Sequence, residues 1–246
     1  MMKKFYFHIS LFLLVLLAAC ESAGDAAELG PQTGQGGSLA RFTIGQDHLY
    51  IVTNQDLLVY SLDAQTYLEK QSEHNLGFGS ETIFPYQDKL FIGTTTGMQI
   101  YDVSEPNNPQ FLSSYAHVTS CDPVVVQDDF AYVTLRSGLT CAQGADQLDI
   151  LDVSNPRAPQ LRRSIPMDNP HGLGVSGQNL FICEGDFGLK YFSLPDPVRP
   201  SLLTHISDLQ AQDVIIRDNL LIVTGDRGVN QYRFQNGQIE FLSKLY

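Results

Sequence analysis

The chain has 246 residues, 43% hydrophobic and 17% charged, with 20 glycines, 12 prolines, no tryptophan and a formal net charge of −12. About 208 residues beyond a glycine-rich start suffice for one well-buried domain. So acidic a surface repels phosphate backbones and anionic lipid heads, which argues against a nucleic-acid partner.

The chain opens Met1-Met2-Lys3-Lys4, continues with an apolar run from Ile9 to Leu17 and reaches Leu17-Ala18-Ala19-Cys20. A basic start, a short apolar stretch and small residues before a cut site describe a secretory signal. The run is too short for a permanent span, which takes about 20 residues. Leu-Ala-Ala-Cys resembles the bacterial lipobox, which implies cleavage before Cys20 and acylation of that cysteine. An ordinary signal peptide with a chance cysteine is the alternative. The expected organisation is a lipoprotein signal over 1–19, a lipidated Cys20 with a flexible tether over 20–38, and a folded domain over 39–246. The tether reading rests on Gly24, Gly30, Gly34, Gly36 and Gly37 among Ala, Ser, Gln and Pro31, a composition unable to bury an ordering core.

From Arg41 to Tyr246 one sentence is written five times, most clearly as DKLFIGTTTGMQIYDVSEPNNPQFLSSY (Asp88 to Tyr115). Leu49, Leu90, Phe130, Leu180 and Leu220 stand 41, 40, 50 and 40 apart. A second marker at Ser61, Asp102, Asp152, Ser193 and Arg233 is spaced 41, 50, 41 and 40, so one repeat carries an insertion. Periods of this size belong to propellers and solenoids. Within a repeat, apolar residues alternate or run in short blocks between Gly, Pro, Asn and Asp, the pattern of short strands and tight turns. Four strands per repeat predict an all-β fold, a five-bladed β-propeller of four-stranded antiparallel blades. In the third repeat these are Pro123–Val126, Phe130–Val133, Leu148–Val153 and Gln160–Ile165.

The turn from third to fourth strand repeats a Pro-x-x-Pro spacing at Pro106 and Pro109, Pro156 and Pro159, and Pro197 and Pro200. The first proline presets φ for a turn and the second marks the start of an outer strand. Asn236-Gly237 takes the place in repeat five as a type I′ hairpin signal. Ring closure has two solutions: side-chain packing of 39–44 against 239–245, or a terminal strand completing the other end's sheet.

The segments Ala131-Tyr132-Val133 and LDILDVSNPRAPQL (Leu148 to Leu161) resemble the LVIVD repeat family, and the likeness extends over nearly all of 41–246. It is strongest in repeats two and three and weakest in five. The resemblance implies a β-propeller of the kind found on bacterial cell surfaces and among secreted proteins.

Cys183 sits in an apolar second strand and reads as a small buried hydrophobe. Cys121 and Cys141, the latter in the inserted loop Arg136 to Asp146, fall on one rim of one blade. In an oxidising compartment they are expected to form a disulfide, two free thiols being the alternative. The same rim gathers Glu81, Asp122, His171 and Asp213. Three carboxylates and an imidazole converging on a channel mouth would bind a metal or act as an acid–base pair. The competing reading makes them strand ends that hydrate the mouth or bond the backbone of a neighbouring blade. Gly185-Asp186-Phe187-Gly188 and Gly225-Asp226-Arg227-Gly228, 40 apart, read as tight turns rather than paired metal ligands. The expected function is a membrane-anchored, extracytoplasmic, noncatalytic scaffold in the bacterial cell envelope. It would bind an envelope protein or glycan through its loop-bearing face and need no cofactor. The alternative is an extracytoplasmic hydrolase or metal-dependent enzyme at the channel mouth.

Overall fold

The computed structural model describes residues 37–62, 68–116, 123–137 and 145–246. Twenty strands among them form five four-stranded antiparallel sheets, each built from consecutive strands, and the fold is a five-bladed β-propeller. Blade I holds β1 (Phe42–Gly45), β2 (His48–Val52), β3 (Asp56–Ser61) and β4 (Glu69–Asn75). Blade II holds β5 (Ser80–Tyr86), β6 (Lys89–Thr94), β7 (Gly97–Asp102) and β8 (Gln110–Ala116). Blade III holds β9 (Val124–Gln127), β10 (Phe130–Leu135), β11 (Gln147–Asp152) and β12 (Gln160–Pro166). Blade IV holds β13 (Leu173–Ser176), β14 (Asn179–Cys183), β15 (Leu189–Ser193) and β16 (Ser201–Ile206). Blade V holds β17 (Asp213–Arg217), β18 (Leu220–Gly225), β19 (Gly228–Gln235) and β20 (Gln238–Leu245).

Each blade's first hairpin turns on two residues, and the leading one (Gln46, Gln87, Asp128, Gly177 or Asp218) has φ between 50° and 55°. A positive φ there matches the twist of the flanking strands. The hairpin register makes His48, Lys89, Phe130, Asn179 and Leu220 equivalent, each paired with the residue that ends the first strand. The sequence alignment on Leu49, Leu90 and Leu180 is therefore one place late relative to Phe130 and Leu220. Asp128 leads its turn, whereas Asp88 is the second residue of its own, and the shared Asp hid the offset. The later marker holds in all five blades. A bulge precedes Tyr60, Tyr101, Leu151, Phe192 and Tyr232 where the third strand pairs with the fourth.

The corrected register shows what holds successive blades together. Tyr50 and Tyr132 are equivalent, and each reaches across to the next available proline turn. Tyr50 donates to the Pro106 carbonyl at 3.3 Å, and Tyr132 to that of Pro197 at 3.2 Å. Pro156 is gripped instead by Ser113 Oγ at 2.6 Å, because the equivalent aromatic in blade II is Phe91, which has no hydroxyl. The three turns close alike, with Asn108, Ala158 and Arg199 amides donating to the Glu105, Asn155 and Asp196 carbonyls at 2.9–3.0 Å. Proline at the second position of each turn is what its fixed φ favours.

Four clusters of buried apolar side chains lie between I and II, II and III, III and IV, and IV and V. Between IV and V, Phe181 stacks on Tyr191 with centroids 4.5 Å apart and meets Phe234 edge-on at 5.0 Å. Among the described residues, no strand is exchanged between the first and last blades. Contact between V and I is made at the rim. Ser38 Oγ donates to Asp213 Oδ1 at 3.2 Å and the Leu39 amide to Oδ2 at 3.3 Å. The expected packing of 39–44 on 239–245 is replaced by this polar clasp, since β20 is an outer strand and β1 an inner one. Gly37 and Ser38, assigned to the tether by composition, are both buried.

Candidate functional site

In an up-and-down blade the first strand begins, the second ends and the fourth ends on the same rim. That rim carries the hairpins between second and third strands and the segments joining blades. Gly97, Gly188 and Gly228 occupy one place in these hairpins, with φ of 154°, 97° and 106°. A Cβ at any of them would lie 1.9–2.1 Å from a backbone carbonyl oxygen at the end of the fourth strand. The Gly-Asp-x-Gly stretches are thus turns whose last glycine is sterically required. Asp226 serves that geometry by accepting from the Gln210 and Gln212 side chains at 3.2 and 2.6 Å.

Among the described rim residues, Asp213 and His171 engage different partners. Asp213 opens β17, and its carboxylate is wedged where a Cβ on Gly37 or Gly172 would lie 2.0 or 2.1 Å away. It accepts from Ser38 Oγ, Leu39 N and Val214 N. Burial pushes its pKa up to about 6 against these bonds. Ser38 Oγ also accepts from the Leu173 amide at 2.7 Å, tying the leading segment to blade IV as well. Bonding the backbone of a neighbouring blade is the second of the two roles anticipated for these residues.

His171 precedes β13. Its amide donates to Cys183 O at 2.7 Å, and its carbonyl accepts from Thr134 Oγ1 at 2.6 Å, joining blades III and IV. Arg136 Nη1 lies 2.8 Å from one ring nitrogen and 2.9 Å from the other, so whichever nitrogen is unprotonated accepts from the guanidinium. Burial first and Arg136 second pull its pKa down to about 4, opposed by Asp186, Asp226 and Asp146. The imidazole is neutral at neutral pH, with its lone pair engaged. Glu81 is half-buried at a register shift in β5 between Ser80 and Thr82. Asp122, Cys20, Cys121 and Cys141 lie outside the described residues. Among the described residues, no group of three His, Cys, Asp or Glu side chains stands close enough to hold a metal ion. Likewise, no helix among them is long and apolar enough to cross a membrane.

One charged group on this rim escaped the sequence reading. Glu184 is fully buried, and both its oxygens lie within 3.0 Å of Lys190 Nζ, which also reaches Asp168 at 2.8 Å. The Asp168 amide donates to Glu184 Oε1 at 3.0 Å. Burial pulls the Lys190 pKa down, but the bonds to Asp168 and Glu184 outweigh it and lift it. A lysine between Leu189 and Tyr191 in an otherwise apolar strand was the available signal, since a buried ammonium demands an acid nearby. Cys183 is buried as expected, its thiol pKa driven well up by desolvation.

Exposed aromatics project from the rim's joining segments and hairpins. Phe78, between Gly77 and Gly79, is 78% exposed, and Phe187, at the tip of the β14–β15 hairpin, is 52% exposed. Their supports are bonded. Gly77 N donates to Asn75 Oδ1 at 3.2 Å and Gly79 N to Asn54 O at 3.0 Å. His205 Nε2 lies 2.7 Å from Phe187 O, and Gly185 bridges to Ala211.

The LVIVD repeat family matches residues 120–165, which span all but the last residue of blade III. No curated protein sequence matches the chain. Several solved structures share the fold. A protein from Lactobacillus plantarum is 15% identical with a TM-score of 0.63, over 80% of this chain and 67% of the other. The computationally designed Ika8 protein is 11% identical with a TM-score of 0.61, over 83% and 60%. Kluyveromyces lactis Hsv2 is 14% identical with a TM-score of 0.54, over 79% and 59%. The chain thus spans from about three-fifths to two-thirds of the length of the propellers it matches. At these identities the likeness is one of fold.

Proposed function

We propose that this LVIVD-repeat propeller is a noncatalytic binding scaffold. It captures an envelope protein or glycan on the rim where its inner strands begin, while acylated Cys20 holds it at a bacterial membrane. The observation that carries the reading is the pair of exposed aromatics, Phe78 and Phe187, on hairpins and joining segments fixed by backbone bonds. Rigid aromatic side chains bury large area on contact at little entropic cost, which is why they dominate binding hot spots. The connection from β10 to β11, whose described ends lie on this rim, is longer than that of blade I: Phe130 and its partner Asp152 are 22 positions apart against 13 for His48 and Ser61. The titratable groups that an enzyme would use there serve as inter-blade bonds, Asp213 to Ser38 and Leu39, and His171 to Arg136.

The test compares the intact chain with Phe78→Ser, Phe187→Ser and deletion of 138–144 in capture from envelope extract and on a glycan array. The reading expects one partner or glycan class to be lost in the variants while the melting temperature stays near that of the parent. Capture that is equal in all four proteins, or no capture by the intact chain, refutes it.

A further inference from the structure

The repeat supplies an internal standard for how buried each position of a blade face should be. Phe42 is equivalent to Ile83, Val124, Leu173 and Val214, all opposite matching places in the second strand. Those four are 0–1% exposed, whereas Phe42 is 61% exposed. Leu49 and Ile51 are equivalent to Leu90 and Ile92, Ala131 and Val133, Leu180 and Ile182, and Leu221 and Val223. Those eight are likewise 0–1% exposed, whereas Leu49 and Ile51 are only half-buried. Cross-strand pairing sets them in two apolar rows, Phe42-Ile51-Leu58 and Ile44-Leu49-Tyr60, on the face of blade I that points away from blade II.

Blade V shows the complement. Ile222 is equivalent to Tyr50, Phe91, Tyr132 and Phe181, each 0–2% exposed against the following blade. Ile222, with Ile215 and Leu220 on the same face, is half-buried. The two faces do not close on each other along their length. At the rim Asp213 is already in contact with Gly37 and Ser38, so the blades cannot approach further there, yet Phe42 and Ile44 stay 61% and 53% exposed. The seam is a wedge, clasped at one end, with apolar first and second strands on both walls and Gln231 on the third strand of blade V.

We propose that this wedge is an interface between copies of the chain, with blade V of one copy seating on blade I of the next. The occupant follows from continuity. A face built like that of blade V packs on a face built like that of blade I at four places within the chain, and only these two faces lack such a partner among the described residues. Contact of this kind is heterologous, so copies join head to tail. Large apolar patches on folded proteins mark such surfaces.

Light scattering on the whole chain in detergent micelles, over a dilution series, tests the proposal with Phe42→Asp, Ile222→Asp and, as a control on an outer strand, Leu202→Asp. Wild type and the control should weigh at least two copies when concentrated and one when dilute, whereas Phe42→Asp and Ile222→Asp alone should stay single. Mixing the last two restores one intact contact and should give a two-copy species and nothing larger. Circular dichroism confirms that each variant is folded. Wild type remaining a single copy at every concentration overturns the proposal. So does self-association by either Phe42→Asp or Ile222→Asp, which would place the contact elsewhere or make it like-to-like.

Discussion

Replacing Asp213 by Asn keeps the side chain's size and one acceptor oxygen while deleting the charge that burial penalises. The folded pKa of about 6 exceeds the ordinary 3.8 by roughly 2 units, which is worth about 3 kcal/mol. Between these values the folded chain holds a proton that the unfolded chain has released. Stability from this group is therefore greatest below pH 4, falls as pH rises through 6, and is lower by about 3 kcal/mol above. Asp213→Asn escapes that loss, so it should be the more stable protein at pH 7, by up to about 3 kcal/mol, and nearly equal to wild type at pH 4. His171 has the opposite sign. Its lowered pKa supports the fold above the ordinary 6.5 and loses that support as pH falls toward 4. Both proteins share His171, so the difference between their curves isolates Asp213. Urea unfolding followed by circular dichroism from pH 4 to 8 measures it. A pH-independent difference would show that burial does not shift the carboxyl, and an Asn variant less stable at pH 7 that the clasp depends on an ionised carboxylate; either would refute the reasoning.

Tyr132→Phe removes the hydroxyl that reaches Pro197 and should cost about 1 kcal/mol in thermal unfolding. No loss would mean that packing alone joins blades III and IV there. Lys190→Met strands the buried Glu184 carboxylate and should cost about 3–5 kcal/mol, much of it recovered by adding Glu184→Gln. If the double variant is no better than the single one, the ion pair does not act as a coupled unit.

Strand positions and blade count were legible because glycine, aspartate and proline punctuate each repeat where the backbone needs positive φ or a fixed turn. Pro106, Pro156 and Pro197 reveal their turns by type alone. What grips those turns was hidden, because Asp128 and Asp88 look alike while holding different places in their hairpins. That one-residue slip separated Tyr132 from its counterpart Tyr50. Ser38 was illegible for another reason. A serine among glycines carries no hydrophobic signal, and its two bonds reach residues 135 and 175 positions away. The rim candidates were found as residue types, but spacing does not say where a side chain points. Asp213 turns sideways into the clasp and His171 lies against Arg136, neither of which periodicity encodes.

Four inter-blade interfaces are packed and the fifth is held by Ser38 and Asp213. Amide hydrogen exchange on the second strands, at a dilution where the chain is a single copy, tests it most directly. β6, β10 and β14, covered on both faces, should be the most protected, while β2 and β18, covered on one, should exchange measurably faster. Equal protection in all five second strands would contradict the account and mean that the ring is packed shut all the way round.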